Sequence, residues 1–370
     1  MKRGHVFEEE CSVQTDSDSM VTQDHWMITL QRVYYPVLAA IGIPSNIITF
    51  LIFWRRNCML SKSSTYYLMA MSVADTGVLV CIVVLELVVK FHSEEPFWAR
   101  QPWCSVRDLF TYGSYNCSTW LVVVFTAERF LAINTWSLKS RLCTPRSALW
   151  AIGSIFLLSH LLAVPHIWAN ASEYKQQLGR WACVYNAQVP SRFIHSLVVF
   201  QTMLSYILPF LIIITLNGLT LRQISICNRI WPVRELPASP ATVVTTTTTT
   251  TTPGLRVAPP LLRSRRRKSV VLLVTVSMTF LMLSVVRAVT QIILRTSDSE
   301  LERYDYGGPL NVAADVGTML CLSNAAVNMY LYAATQTRFR QEVITCAKHG
   351  LSVVKACLIP SSAITSAIAQ

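Results

Sequence analysis

Two carboxylates stand inside stretches that are otherwise apolar. Asp75 closes LMAMSVAD, and Glu86 interrupts the valine-rich run that follows. Ionisable groups in such segments are costly and point to function by default. Asp75, Leu79, Ile82 and Glu86 fall at i, i+4, i+7 and i+11, so on a helix both carboxylates share one face. Asn46, Ser118, Asn324 and Asn328 are further polar residues in apolar surroundings. A carboxylate with Ser118, Asn324 and Asn328 as oxygen donors could hold a small hard cation such as sodium near Asp75. The alternative is a hydrogen-bonded network without an ion. Glu128–Arg129–Phe130 places an acid beside an arginine at the end of another apolar run. Such an arginine can pair locally or release to meet a partner; the plainer reading is an interfacial arginine that snorkels to lipid headgroups.

A third group could read a ligand. Phe280, Ser284 and Arg287 are spaced i, i+4, i+7, and Asp108, Tyr112, Tyr115 and Thr119 form a similar stripe. An arginine fork binds carboxylate or carbonyl, an aspartate suits an ammonium, and tyrosines suit an aromatic ring. Together with Glu86 they fit a small zwitterion or a peptide terminus. The competing reading has Arg287 paired with Asp108 or Glu86 to offset burial.

Seven stretches are long enough to span a bilayer, which takes about 20 mostly apolar residues. They run near Val33–Trp54, Thr65–Val89, Val106–Ile133, Ala148–Trp168, Phe193–Leu221, Val270–Leu294 and Leu310–Ala333. Pro36, Pro44, Pro165 and Pro209 lie inside them and are tolerated there because neighbours re-satisfy the freed carbonyls. Of the 370 residues 52% are hydrophobic and 14% charged, against roughly 25% charged in soluble domains. The mean hydropathy is +0.41. The expected fold is therefore an all-α membrane protein, a seven-transmembrane helix bundle.

The net charge of +12 sits in the connections, which decides against nucleic acid. Arg55, Arg56 and Lys62 follow the first span; Lys139, Arg141 and Arg146 follow the third; Arg263 to Lys268 precede the sixth. Acids crowd the N-terminus (Glu8, Glu9, Glu10) and the last outer connection (Asp298, Glu300, Glu302). Basic flanks stay in the cytosol, so the expectation is a multi-pass protein of the plasma membrane with the N-terminus extracellular. The first residues are polar and unlike a cleavable signal peptide, so the first span would act as its own insertion signal. The organisation expected is residues 1–32 outside, 33–334 as the bundle, 335–348 as an amphipathic helix on the membrane surface, and 349–370 as a cytosolic tail. Residues 232–262, with the run Thr245–Thr252, read as a disordered cytosolic loop. Phe339, Val343, Ile344 and Ala347 recur at helical spacing, and Cys346 and Cys357 stand at palmitoylation-permissive positions.

Cys104 and Cys183 both face the oxidising side, where disulfides persist. A bond between them would tie a loop over the bundle mouth. Cys11 lies outside as well, so sequence alone does not make the pairing unique. Asn170–Ala171–Ser172 is a glycosylation sequon in the same loop. No CxxC pair and no nucleophile–base arrangement is evident, so no metal centre and no enzyme are expected.

Taken in order, Asn46, Asp75, Cys104, Glu128–Arg129–Phe130, Cys183, Pro209, Asn328 to Tyr332 and Arg338–Phe339–Arg340 resemble the motifs of rhodopsin-like (class A) G-protein-coupled receptors, over about Val33 to Lys348. The resemblance implies an extracellular small-molecule or peptide ligand, membrane lipid and a heterotrimeric G protein as partners. It implies a switch of Glu128, Arg129, Asn328 and Tyr332. A finer resemblance is to the orphan receptors described as sensing aromatic amino acids and small peptides. It rests on Gly42 to Asn46, Ser63 to Leu68, Leu216–Asn217 and Asn324 to Tyr332, and that group also carries an arginine at the position of Arg287. The sequence departs from the class where it usually has Phe-x-x-Cys-Trp-x-Pro. Ser284 stands for the tryptophan and Val286 for the proline, and Met329 replaces the proline of the seventh span. Without that proline the sixth helix should be straight. A receptor fold that signals weakly, or not at all, is the alternative; a transporter or channel is disfavoured because no internal repeat is visible.

Overall fold

The computed structural model describes residues 25–56, 58, 60–134, 143–176, 180–230, 260–296 and 308–358. Seven long helices form a bundle. They are α1 (Trp26–Arg55), α2 (Lys62–His92), α3 (Trp103–Asn134), α4 (Pro145–Ala169), α5 (Ser191–Ile230), α6 (Pro260–Thr296) and α7 (Pro309–Thr335). An eighth, α8 (Thr337–Leu358), follows directly. A two-stranded antiparallel hairpin, β1 (Asn170–Lys175) and β2 (Arg180–Tyr185), lies between α4 and α5. One end of the bundle is thus marked by the hairpin, the other by α8.

Local chemistry sets the helix starts. His25 accepts a hydrogen bond from the Met27 amide at 3.3 Å to begin α1. Ser61 accepts from Ser64 N at 3.2 Å to begin α2. Thr144 accepts from Ser147 N at 3.1 Å, with Pro145 at the first position of α4, where no amide is missed. Inside α1, Pro36 and Pro44 are accommodated without a break, and Ser45 donates back to the Ile41 carbonyl at 2.7 Å. In α5 the chain widens to a π-helix over Met203–Ile207 just ahead of Pro209, where the ring would clash with the carbonyl one turn back. A longer π stretch, Leu79–Val88, runs through α2 without a proline. In contrast, α6 shows no such interruption, as expected from Val286.

The bundle encloses buried polar residues among its apolar ones and is apolar on its outer surface. Trp150 is 74% exposed and Met282 67%; such a surface is solvated by lipid, not water. Six helices are long and apolar enough to cross a membrane. The exception, α3, spans 32 residues but is enclosed by α2, α4, α5 and α6. It can therefore carry the buried polar residues Asn116, Ser118 and Thr119. One apolar core lies toward α8, around Leu68, Met71, Leu121, Phe125, Leu273 and Phe280. The other lies toward the hairpin, around Met27, Tyr35, Leu79 and Leu322.

Every expected span lies within one of these helices, but the ends differ. The first begins at Trp26, ahead of Val33, because polar Gln31 is buried and donates to Asp315 of α7 at 2.7 Å. The helix after the seventh span continues past residue 348 to Leu358. The threonine run, most of residues 232–262, Cys11 and the acidic N-terminal cluster lie outside the described residues.

Candidate functional site

Asp75 is 1% exposed. Ser118 of α3 donates to its Oδ1 at 2.5 Å and Asn328 of α7 donates to its Oδ2 at 2.7 Å. Each oxygen thus accepts from one donor, on α3 and on α7. Asn324 is buried one turn before Asn328. Asn46 ties α1 to the same region, donating to the Ala325 carbonyl at 2.6 Å. Gly42 lets the helices meet there, since a Cβ on it would fall 2.7 Å from Leu79 Cδ1 and 2.9 Å from Ala326 Cβ.

Toward α8, Glu128 and Arg129 are 6% and 8% exposed. Arg129 donates through Nε to Glu128 Oε2 at 2.5 Å and through Nη2 to the same carboxylate. Ser63 donates to Glu128 Oε1 at 2.8 Å, and Arg129 Nη2 reaches Ser61 Oγ at 3.3 Å. The snorkelling reading fails: the guanidinium is folded into the bundle by a carboxylate one residue away. Tyr332 is fully buried, with Phe53 and Phe339 rings each 5.8 Å away. Its hydroxyl has no partner among the described residues. Phe339 stacks on Phe53 at 4.9 Å, so this residue anchors α8 to the bundle and does not join an outward apolar face. Arg56 and Glu342 form an exposed ion pair at 3.5 Å. Cys346 is exposed, whereas burial and the Glu342 carboxylate push the Cys58 thiol up to about 11. The Cys357 side chain lies outside the described residues.

Toward the hairpin, Cys104 and Cys183 are joined by a disulfide that closes 79 residues. Asp108 and Arg287 do not meet. Arg107, the neighbour of Asp108, donates to its Oδ1 at 2.9 Å, and Asn170 Nδ2 donates to Oδ2 at 2.8 Å. A glycan on Asn170 would have to be carried by that same nitrogen, on a residue only 7% exposed. In this geometry the Asn170 side chain clamps β1 to α3. Glu86 is half-buried, accepts from Thr111 Oγ1 at 3.3 Å and acts on Arg107. Its carboxylate still turns toward α3 after the π stretch.

Arg287 is half-buried and donates to Thr318 Oγ1 at 2.5 Å and to Tyr206. Tyr115 lies beside them, its hydroxyl 3.0 Å from Cys321 Sγ and its ring 5.8 Å from that of Tyr206. Tyr112 turns the other way and packs on His166 at 4.1 Å. The structure therefore brings together Arg287 and Tyr115 and separates both from Asp108, Tyr112 and Glu86. Close by, Asn116, Gln201 and Ser205 bond one another across α3 and α5 at 2.7–2.9 Å.

The profile of the family described as 7 transmembrane receptor (rhodopsin family) matches residues 45–332. The chain belongs to that family. Among similar proteins are the neuromedin-K receptor of Oryctolagus cuniculus, 28% identical over 54% of this chain and 42% of its own length, and the neurotensin receptor type 1 of Mus musculus, 25% identical over 59% and 52%. A third is the galanin receptor 2a of Danio rerio, 24% identical over 55% of each. The chain spans about half the length of these relatives.

This multi-pass receptor-family chain has its own arrangement where the class motif is missing. Ser284 is fully buried and takes a 3.8 Å contact from Cys321 Sγ. One step outward, a Cβ on Gly317 would fall 2.8 Å from Arg287 N and 3.1 Å from Val286 C. There α6 lies backbone to backbone against α7, which only a residue without a side chain permits. Arg107, Tyr206, Thr318 and Cys321 were not among the expected site residues. Thr318, Cys321, Ala325 and Asn328 recur at helical spacing on α7, and that stripe could have revealed two of them.

Proposed function

We propose that this chain is a plasma-membrane receptor with the N-terminus and hairpin extracellular. A carboxylate-bearing peptide or small molecule, its aromatic group beside Tyr115 and Tyr206, would bind at the hairpin half. A heterotrimeric G protein would couple at the α8 end through Arg129 and the ends of α5 and α6. The orientation rests on the basic connections expected to stay cytosolic. Relatives that are receptors for peptides support a ligand of that kind. The observation that carries the ligand reading is Arg287: a half-buried guanidinium in the receptor core whose described partners are hydroxyls, while Asp108 and Glu86 are engaged elsewhere. A charge held by neutral groups favours an incoming acid. Lipid contact falls to α8, with Cys346 exposed for acylation.

The test is a panel of aromatic amino acids and short peptides, each as free acid and as amide, read on G-protein reporters. Arg287→Ala should weaken free-acid agonists at least ~10-fold, about 1.4 kcal/mol, at unchanged surface level. Equal loss for acid and amide, or no loss, refutes the carboxylate contact. A second reading, a receptor fold with little ligand-driven signalling, is favoured by Ser284 and by the close α6–α7 seam at Gly317. Absence of any evoked signal from a well-expressed chain across the panel would support it.

A further inference from the structure

Arg129 touches more than Glu128. Its Nη2 also reaches Ser61 Oγ at 3.3 Å, a hydroxyl 68 positions away at the entrance to α2. Serine is a favoured residue at a helix start, and Ser61 fills that role by accepting from Ser64 N at 3.2 Å. The cap has no need of a guanidinium from α3. Ser61 differs from its neighbours in access as well. It is exposed, whereas Ser63 and Ser64 are each 2% exposed. Thr65 is half-buried, with its hydroxyl turned back to the Ser61 carbonyl at 3.2 Å. Ser61 is therefore the hydroxyl of this turn that another protein reaches from solvent. Arg55, Arg56 and Lys62 stand around it in the sequence, and a basic setting of that kind favours an added phosphate.

We propose that Ser61 is a phosphorylation site for a cytosolic serine/threonine kinase, and that the phosphate holds Arg129 inside the bundle. This rests on the reading above that places the α8 end in the cytosol, where ATP is at hand. The γ-phosphoryl group of ATP passes to Ser61 Oγ. The bond to the leaving ADP oxygen breaks as the Oγ–P bond forms, and the hydroxyl proton goes to the kinase base. The product carries nearly two negative charges and three strong acceptor oxygens. Those oxygens lie two bonds beyond Oγ, on an atom that Arg129 Nη2 already approaches to 3.3 Å, and guanidinium–phosphate bonds are among the strong ones. The lost hydroxyl proton is replaced: Ser64 Oγ, 2.8 Å from Ser61 Oγ, donates to the phosphate. Because Ser61 is exposed, water serves the remaining acceptors and the dianion escapes the full cost of burial. Glu128 keeps its bond from Ser63 at 2.8 Å, and the guanidinium between the two anions screens one from the other. Held by both, Arg129 leaves less readily to meet a G protein, so phosphorylation turns the proposed coupling down.

The modification is tested on the full chain isolated from cells treated with a phosphatase inhibitor. Tryptic digestion should yield the peptide of residues 57–62 with one phosphate on Ser61, lost on phosphatase treatment and absent from Ser61→Ala. The hold on Arg129 is read separately and needs neither ligand nor G protein. With phosphoserine installed at position 61 by codon expansion, and the chain in lipid nanodiscs, the melting temperature should rise by about 3 °C or more. Arg129→Gln should remove most of that rise. An equal rise in Arg129→Gln overturns the proposal, because it would come from the start of α2 alone. If Arg129→Gln does not fold, phosphorus NMR of the phosphoserine decides. A paired guanidinium pulls the second ionisation of the phosphate below its ordinary value of about 6, and a midpoint at or above that value overturns the proposal. A peptide without phosphate also overturns it, and an N-terminal epitope on the same cells shows why. An epitope outside means that no kinase uses Ser61; an epitope inside means that the orientation itself has failed.

Discussion

Arg129 and Arg287 both project into the bundle, near opposite ends, and are held in opposite ways. Arg129 is buried against both oxygens of Glu128, which also accepts from Ser63. Arg287 is half-buried among Thr318, Tyr206 and Tyr115. A cation closed by its own neighbour is a latch: only a competitor for that carboxylate opens it. A cation surrounded by hydroxyls is a receptor for charge, because its best partner has yet to arrive. The difference lies in what stands one residue away. Arg129 follows an acid, whereas Arg287 follows Val286, and the acid that could have served it, Asp108, follows Arg107.

The largest effect expected is at the latch. Glu128→Ala strands a buried guanidinium, which costs about 3–5 kcal/mol when one partner of a buried pair is lost. A fluorescence thermal melt in detergent should show a clear fall. An unchanged melt would mean that Arg129 escapes easily to the interface, and the contrast between the two arginines would collapse.

Next comes the clamp of Asn170 on Asp108. Asn170→Ala removes a hydrogen bond to a charged group, worth about 1.5–3 kcal/mol, and should lower the melting temperature. It should leave gel mobility unchanged in glycosylating cells, because the Asn170 amide nitrogen faces Asp108 at 2.8 Å. A mobility shift on glycosidase treatment that Asn170→Ala abolishes would show instead that β1 releases this side chain.

These two sites also mark what the sequence could tell. The seven helices were legible because apolar runs of membrane length have few other uses. The Glu128–Arg129 pair was legible because its partners are adjacent, and the Asp75 cluster because buried polar residues on three helices must converge. The engagement of Asp108 was not. Its second partner, Asn170, is 62 residues away and arrives only when the hairpin folds over α3. A sequon is read from three residues and carries no account of where its amide points. Tyr206 and Thr318 escaped notice because aromatic and small residues in an apolar chain look like packing until a neighbour defines them.

Tyr332 tests the latch end more gently. Its hydroxyl is buried without a partner among the described residues, a cost of about 1–3 kcal/mol that Phe would not carry. Tyr332→Phe should raise the melting temperature slightly while reducing signalling, since any other state that gives the hydroxyl a partner would lose its advantage. A lowered melt would show that the hydroxyl is already satisfied.

The smallest stability effect is expected at Arg287 itself. Arg287→Met removes a charge that no described carboxylate compensates, and it strands nothing. Thr318 keeps its bond to the Ala314 carbonyl at 2.8 Å, and Tyr206 keeps its contact with Tyr115. The guanidinium is largely buried, so removing its charge relieves a desolvation cost that offsets the bonds lost to Thr318 and Tyr206. The two tendencies leave a change within about 1 kcal/mol, against the several lost at Glu128. The same substitution should still remove the response to free-acid ligands. A melt that falls as far as that of Glu128→Ala would mean that Arg287 holds α6 to α7 as a structural pair does. The guanidinium would then be a second latch and no longer an open site.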